Sequence, residues 1–419
     1  MRKVRETINM NYWSKKTNPV SGAYIEEILK YLRWANNDTG DMDAFTASPY
    51  GEQFAIRLDR ECRYGQNPMG PETKAFYEGL GLKRMLYDDE KFYTRWVLLA
   101  PLEMDTQTGM GRRYPLVIVN RAGNDPVERV EFSTGFNEIA GREGFMVLYP
   151  QNTDPVFVEK LLDRVITDFP VDSERVYVTG YSSGGQQTTA AAFTFPEKLA
   201  AHAPCGNDIY RNMNLAFHIY TKEEEDRLKK ARLPFMQTVG CCEHSNIVPL
   251  NEWKPKLFKG GCRMFLDLPA DPRASLEKDP TDVTGGRFAA PRPPECADTR
   301  VWMVEQLNRR LELLGCEPRR IEQCLSYADT PEDELHHVLG FYGDREQIRT
   351  YYGYKHYMID ILSRENVPMF RYVAVENSPH SPGVMMGELV WEFFRKFRRD
   401  RKTGQIVVEE YKYSKWEIV

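Results

Sequence analysis

Between Tyr114 and Val239, short continuous apolar runs alternate with amphipathic stretches. Pro115-Leu-Val-Ile-Val119 and Gly144-Phe-Met-Val-Leu-Tyr149 lack the in–out alternation of a half-exposed strand. Such runs are expected of strands covered on both faces of a parallel sheet. Arg175-Val-Tyr-Val-Thr179, Leu199–Ala203 and Pro234–Val239 read as further strands. Phe136–Arg142 reads as helix, and Gln186–Phe195 as a helix rich in Ala and Thr. Val156–Phe169 is an amphipathic helix with Val158, Leu161, Leu162, Val165 and Ile166 on one side. Strand and helix alternating at this spacing imply right-handed crossovers, a mostly parallel sheet and helices on both of its faces. The fold class is α/β.

The flanks follow other patterns. Ser21–Asn36 places Ile25, Ile28, Leu29 and Leu32 on one helical face, with Ser21 as its cap. Gln53–Leu58 and Lys83–Tyr87 look strand-like, and Asp88-Asp89-Glu90 turns the chain into Phe92–Ala100 as an antiparallel hairpin. No chemistry stands out in this first part. Residues 1–90 are therefore expected to form an accessory segment on a catalytic domain spanning 91–419. From Phe265 to Ala297 the chain is dense in Pro, Asp, Arg and Gly, and three short helices follow. Residues 262–365 are expected to interrupt the sheet as a lid-like insertion or, equally, a packing appendage. The sheet resumes at Met369–Val375, and Gly387–Phe397 closes the chain as an amphipathic helix. The basic cluster Arg398–Arg401 is expected to be solvated surface.

Composition narrows the function classes. The 419 residues are 42% hydrophobic and 28% charged, which excludes a disordered or fibrous chain. Fifty-six basic against 61 acidic residues give a net charge of −5 and no nucleic-acid footprint. No stretch approaches the roughly 18 apolar residues that cross a bilayer, so no membrane partner is expected. The N-terminus lacks an apolar run, and eight irregularly spaced cysteines fit reduced thiols. Cytoplasmic location is the expectation.

The most informative segment is Val176-Tyr-Val-Thr-Gly180-Tyr-Ser182-Ser-Gly184-Gly185. G-x-S-x-G between a buried strand and a helix is a nucleophile elbow. The serine must project from a turn too tight for flanking side chains, hence glycines two before and two after it. The turn also sets Ser182 at a helix N-terminus, where backbone N–H groups favour developing negative charge. Ser183 then supplies an oxyanion-hole N–H.

A serine nucleophile needs a base, and seven histidines compete. His202 lies in a strand, while His218 and His356 sit in regular runs where a structural role is the default. His336-His337 belongs to the inserted helices and could face solvent. His380 follows the last strand in a loop, where a base is free to meet the elbow, so it is the candidate. The acid should follow the strand ending at Val239. In Gly240-Cys241-Cys242-Glu243-His244-Ser245-Asn246 that carboxylate is Glu243, with Asp271 and Asp208 as rivals. Cys241 to His244 could be read as metal ligands. Four consecutive residues cannot easily converge on one tetrahedral ion, and neither C-x-x-C nor H-E-x-x-H occurs.

On these residues the chain resembles the polyhydroxybutyrate depolymerase-like serine esterases, a group that also holds feruloyl and acetylxylan esterases. The matching pieces are Pro115–Val119, Gly135–Pro150, Val171–Gly185 and Leu199–Pro204, covering roughly residues 92–250 and 367–400. The resemblance implies the α/β-hydrolase fold. The family's His-Gly pair after the first strand is replaced here by Asn120-Arg121-Ala122-Gly123, so Arg121 or Ala122 would give the second oxyanion N–H. Its usual Asp is replaced by Glu243, one methylene longer, and two extra residues precede Val248-Pro249.

The expectation is thus a serine ester hydrolase with a Ser182–His380–Glu243 triad and an acyl-enzyme, requiring no cofactor and no metal. Small or oligomeric esters are the expected substrates: acetylated or feruloylated sugars, or hydroxyalkanoate oligomers. The sequence leaves the oligomeric state open. Two alternatives stand beside this reading. One is a serine peptidase of the prolyl-oligopeptidase type, against which no propeller repeat precedes the core. The other is a non-catalytic hydrolase-like binding protein.

Overall fold

The computed structural model describes residues 42–65, 70–87, 94–104, 111–123, 125–207, 221–241, 299–324, 334–378 and 380–413. The chain divides into two compact units. Of the described residues, the first holds those between Gly51 and Pro204 and those from Val384 onward; the second holds those up to Tyr50 and those between Cys205 and Gly383. The expected Ser21–Asn36 helix and the Phe265–Ala297 stretch lie outside the described residues.

The strands of the first unit are β1 (Leu82–Tyr87), β2 (Trp96–Pro101), β3 (Tyr114–Asn120), β4 (Met146–Pro150), β5 (Val171–Tyr181) and β6 (Ala201–Cys205). Their order is β1-β2-β4-β3-β5-β6. β3 runs parallel to both β4 and β5. β2 joins β4 antiparallel and β1 joins β2 antiparallel, so the expected hairpin extends the sheet. Every residue of β2, β3 and β4 is buried, which explains their unbroken apolar sequences.

Local chemistry sets the helix ends. Asp154 caps the Pro155–Asp168 helix by accepting from the Val156 and Phe157 N–H groups at 3.0 and 3.1 Å. Pro155 fits the first helical position, where no donor is needed. The Met386–Phe394 helix buries Trp391 and Phe394 against the sheet. Trp391 stacks on Phe145 at 4.0 Å between ring centroids, and Phe394 on Tyr177 at 4.9 Å.

Two expectations for this part are corrected. Gln53–Leu58 is not a strand but lies within the helix Pro49–Tyr64. Its buried residues Tyr50, Phe54, Leu58 and Glu61 recur at helical spacing, and a short window of alternating polarity hid that longer period. Nor is the Arg398–Arg401 cluster simply solvated. Arg399 is buried and donates to the carbonyls of Leu199 and Gly404, while Arg401 donates to that of Glu197 at 2.9 Å. These arginines tie the Phe397–Arg399 and Ile406–Val408 hairpin to the body of the unit.

The second unit holds β7 (Phe235–Gly240), β8 (Arg345–Tyr351), β9 (Tyr354–Leu362) and β10 (Pro368–Val375) in the order β7-β10-β9-β8. β10 is parallel to β7 and antiparallel to β9, which pairs antiparallel with β8. Residues 262–365 therefore do not simply interrupt the sheet, because β8 and β9 add two strands to it. The Thr299–Leu314 helix covers β7 and β10. Its Leu307, Leu311 and Leu314 pack with Phe235, Phe370 and Tyr372, and Phe235 stacks on Phe370 at 5.4 Å.

Among the described residues no helix is long and apolar enough to cross a membrane. Cys205, Cys241, Cys316 and Cys324 are buried.

Candidate active site

The parallel strands of the first unit end together. Ile118 of β3 lies level with Leu148 of β4, and Asn120 with Gly180 of β5. β3 is followed in sequence by β4 on one side of it, whereas β5 is followed by β6 on the other. Chain leaving adjacent strands in opposite directions opens a crevice at their carboxyl ends, the usual ligand position in open α/β sheets.

Ser182 stands at that crevice, between the end of β5 and the helix Ser183–Thr194. Its backbone is at φ 57° and ψ −122°, a conformation that costs a side-chain-bearing residue on the order of 1–3 kcal/mol. The flanking glycines are required by space. A Cβ on Gly180 would come within 2.5 Å of the Gly184 carbonyl oxygen. One on Gly184 would come within 2.3 Å of the Asn120 carbonyl oxygen and 2.6 Å of that of Arg121. The strand–turn–helix predicted by G-x-S-x-G is present, and the β3 exit presses directly on it.

The turn after β3 is bound to the same helix start. Gly123 N–H donates to Ser183 Oγ, and Asn120 Nδ2 to Thr188 Oγ1 at 3.3 Å. The Ser182 carbonyl accepts the first helical bond from Gln186 N–H at 3.1 Å. Ala122 N–H has no acceptor among the described residues, whereas the Gly123 N–H is already engaged. The Arg121 side chain is buried and turns away along the loop, donating from Nε to the Gln151 carbonyl at 2.6 Å. Within the first unit the structure thus gathers Ser182, Ser183, Arg121 and Ala122.

His380 belongs to the second unit, in the turn that follows β10, where it is 7% exposed. Glu243 and its rivals Asp208 and Asp271 lie outside the described residues, as do His218 and His244. His202 is buried in β6, as a structural histidine should be. His336 does not face solvent. It is buried, places Nε2 2.9 Å from Glu346 Oε1, and lies against Tyr342. His356 is fully buried in β9 with Nδ1 3.1 Å from the Tyr354 carbonyl oxygen, and burial pushes its pKa down to about 4. It stays neutral at pH 7. Among the described residues no group of three His, Cys, Asp or Glu is placed to hold a metal ion.

Sequence reading passed over Gln151, which follows β4 and is fully buried. Its Oε1 accepts from Val127 N–H at 3.0 Å and its Nε2 donates to the Asp125 carbonyl at 3.1 Å. Only its place one residue past a buried strand could have marked it.

Comparison with known proteins bears on the same chemistry. No family model matches the chain. It is 32% identical over 85 residues to a bifunctional acetylxylan esterase/xylanase of Neocallimastix patriciarum, a match covering 17% of this chain and 13% of that protein. It is 27% identical over 126 residues to poly(3-hydroxyalkanoate) depolymerase C of Paucimonas lemoignei, covering 25% of this chain and 30% of the other. The sequence likeness is to esterases and depolymerases. Both matches span less than a third of the relatives' own lengths. Among solved structures, an acetyl xylan esterase from Aspergillus awamori has a TM-score of 0.37 at 11% identity, covering 74% of this chain and 98% of that one. A thermostable esterase has a TM-score of 0.28 at 19% identity, covering 38% and 46%.

Proposed function

We propose that this chain is a serine carboxylic-ester hydrolase of the α/β-hydrolase fold that works through an acyl-enzyme. The carrying observation is Ser182, held at φ 57° between β5 and the start of a helix by two glycines that admit no side chain. That backbone turns a hydroxyl outward at the carboxyl end of a parallel sheet and beside helix N–H groups, as nucleophilic acyl transfer requires.

In this mechanism Ser182 Oγ attacks the ester carbonyl while His380 takes its proton. Glu243 fixes the imidazole tautomer and balances the imidazolium. The tetrahedral oxyanion is held by the Ser183 N–H and a second N–H from the turn after β3. Arg121 and Ala122 are the candidates for that second role, and the Ala122 N–H has no acceptor among the described residues. His380 then protonates the leaving alcohol, and water activated by the same base releases the acid. Acetylated or feruloylated sugars and hydroxyalkanoate oligomers are the proposed substrates. The acetylxylan esterase and depolymerase likenesses support the acetylated sugars and the hydroxyalkanoate oligomers.

The test is hydrolysis of p-nitrophenyl acetate, butyrate and longer acyl esters by wild type and Ser182→Ala. Wild type is expected to turn over, and the variant to fall by at least about 1,000-fold. A fluorophosphonate probe should label wild type at Ser182 alone. Full activity in Ser182→Ala would sink the mechanism.

A further inference from the structure

We propose that Gln151 is a positioning residue for the oxyanion hole, an inference that rests on the ester-hydrolase reading above. One fully buried side chain holds the far end of the turn after β3, through Val127 N–H at 3.0 Å and the Asp125 carbonyl at 3.1 Å. The backbone of the same residue holds the near end, since its carbonyl accepts from Arg121 Nε at 2.6 Å. Its N–H donates in turn to the Arg95 carbonyl at 3.0 Å, which fastens the assembly to the residue preceding β2. Arg121 passes the constraint on by donating from Nη1 to the Gly123 carbonyl, and Gly123 N–H closes the path on Ser183 Oγ. Both ends of the turn are thereby fixed, and the helix start carrying Ser182 is fixed with them.

The chemistry needs such a clamp. An oxyanion donor acts only if it already points at the place where the charge develops, because reorienting it during the reaction spends the stabilisation it would give. Ala122 lies in a short irregular turn beside a glycine at φ 50°; no ladder bond of strand or helix fixes it, and its carbonyl accepts from the N–H of Asp125, the residue Gln151 holds, at 3.1 Å. Gln151 substitutes for that ladder. A glutamine suits the task because the two ends of the turn present one donor and one acceptor, and its amide offers the complement to each.

The test compares wild type, Gln151→Glu and Gln151→Met, with circular dichroism and thermal melting establishing which variants fold. A buried glutamic acid, once protonated, is an acceptor for Val127 N–H and a donor to the Asp125 carbonyl, so Gln151→Glu should keep most activity. Gln151→Met keeps the volume and loses both bonds. It is expected to lose about 10- to 100-fold in kcat on p-nitrophenyl butyrate, less than the roughly 100- to 1,000-fold of deleting a donor outright. KM should change by less than about twofold. Affinity for an alkylboronic acid, which forms a tetrahedral adduct on Ser182, should fall in parallel with kcat.

A folded Gln151→Met with unchanged kcat and boronate affinity overturns the proposal, as does a loss confined to KM. If Gln151→Met does not fold, Gln151→Asn decides, because an amide one methylene shorter cannot reach both the Val127 N–H and the Asp125 carbonyl: a folded Gln151→Asn with parallel losses of kcat and boronate affinity supports the proposal, and wild-type values of both overturn it. Wild type that neither hydrolyses esters nor takes the probe at Ser182 overturns the parent reading instead, and this inference with it.

Discussion

At the residue scale the site depends on atoms that are absent. Gly184 leaves room for two carbonyl oxygens of the β3 exit, at 2.3 and 2.6 Å from where a Cβ would stand. Those oxygens are backbone and cannot swing aside. Gly184→Ala must therefore push the turn away from the helix start. The expected cost is about 1–3 kcal/mol of stability, together with slower fluorophosphonate labelling of Ser182. Thermal melting and labelling rate check the two effects separately; wild-type values for both would show that the turn yields freely. This crowding was legible in the sequence, because glycines two before and two after a serine have few other reasons to recur between a strand and a helix. Gln151 was not legible. A glutamine after a strand carries no periodicity, and its meaning lies in which N–H and carbonyl the turn happens to leave unpaired.

At the scale of elements, strands buried on both faces were readable, and so was β1 at the margin, whereas β8 was not. β2, β3 and β4 are nearly unbroken runs of apolar side chains. β8 is Arg-Glu-Gln-Ile-Arg-Thr-Tyr, an edge strand mostly open to solvent, with too little apolar pattern to register. β9 hides its strand character in another way, by burying a charge. Asp360 of β9 faces Arg371 of β10 across the ladder, and the two form a bidentate pair at 2.6 and 2.8 Å. Both side chains are nearly out of reach of water. Removing one partner strands the other, so Asp360→Ala should cost about 3–5 kcal/mol. Replacing both, as in Asp360→Leu/Arg371→Met, should recover most of that loss. Urea titration of the single and double variants measures the difference, and a double variant no better than the single would mean that the pair contributes more than its own neutralisation.

Over the whole molecule, acid tolerance should reflect one histidine more than its neighbours. Burial lowers His356 from its ordinary 6.5 to about 4. Between those values the unfolded chain holds a proton that the folded chain refuses, so stability falls as the pH drops from 6.5 towards 4 and the term is constant below it. The full term approaches about 3 kcal/mol. In His356→Gln the stability curve should be flatter over that window, as read by melting temperature against pH; an identical slope in both proteins would reject the assignment. The α/β class was evident from the alternation of elements, but the division into units was not. Hydrophobic pattern reports which face of an element is covered, not which distant element covers it. The first unit is assembled from Gly51–Pro204 and Val384–Val419, with the second unit's chain between them. Arg399 reaches back to the carbonyl of Leu199, 200 positions earlier, and Trp391 and Phe394 complete the apolar layer over Phe145 and Tyr177. During synthesis, β3, β4 and β5 therefore leave the ribosome long before the helix that covers them exists. At about 5–20 residues per second, that wait lasts on the order of ten seconds or more. For that interval the nascent half-sheet exposes aromatic surface, which makes it a client for a holding chaperone and makes its folding yield sensitive to translation speed across residues 205–383.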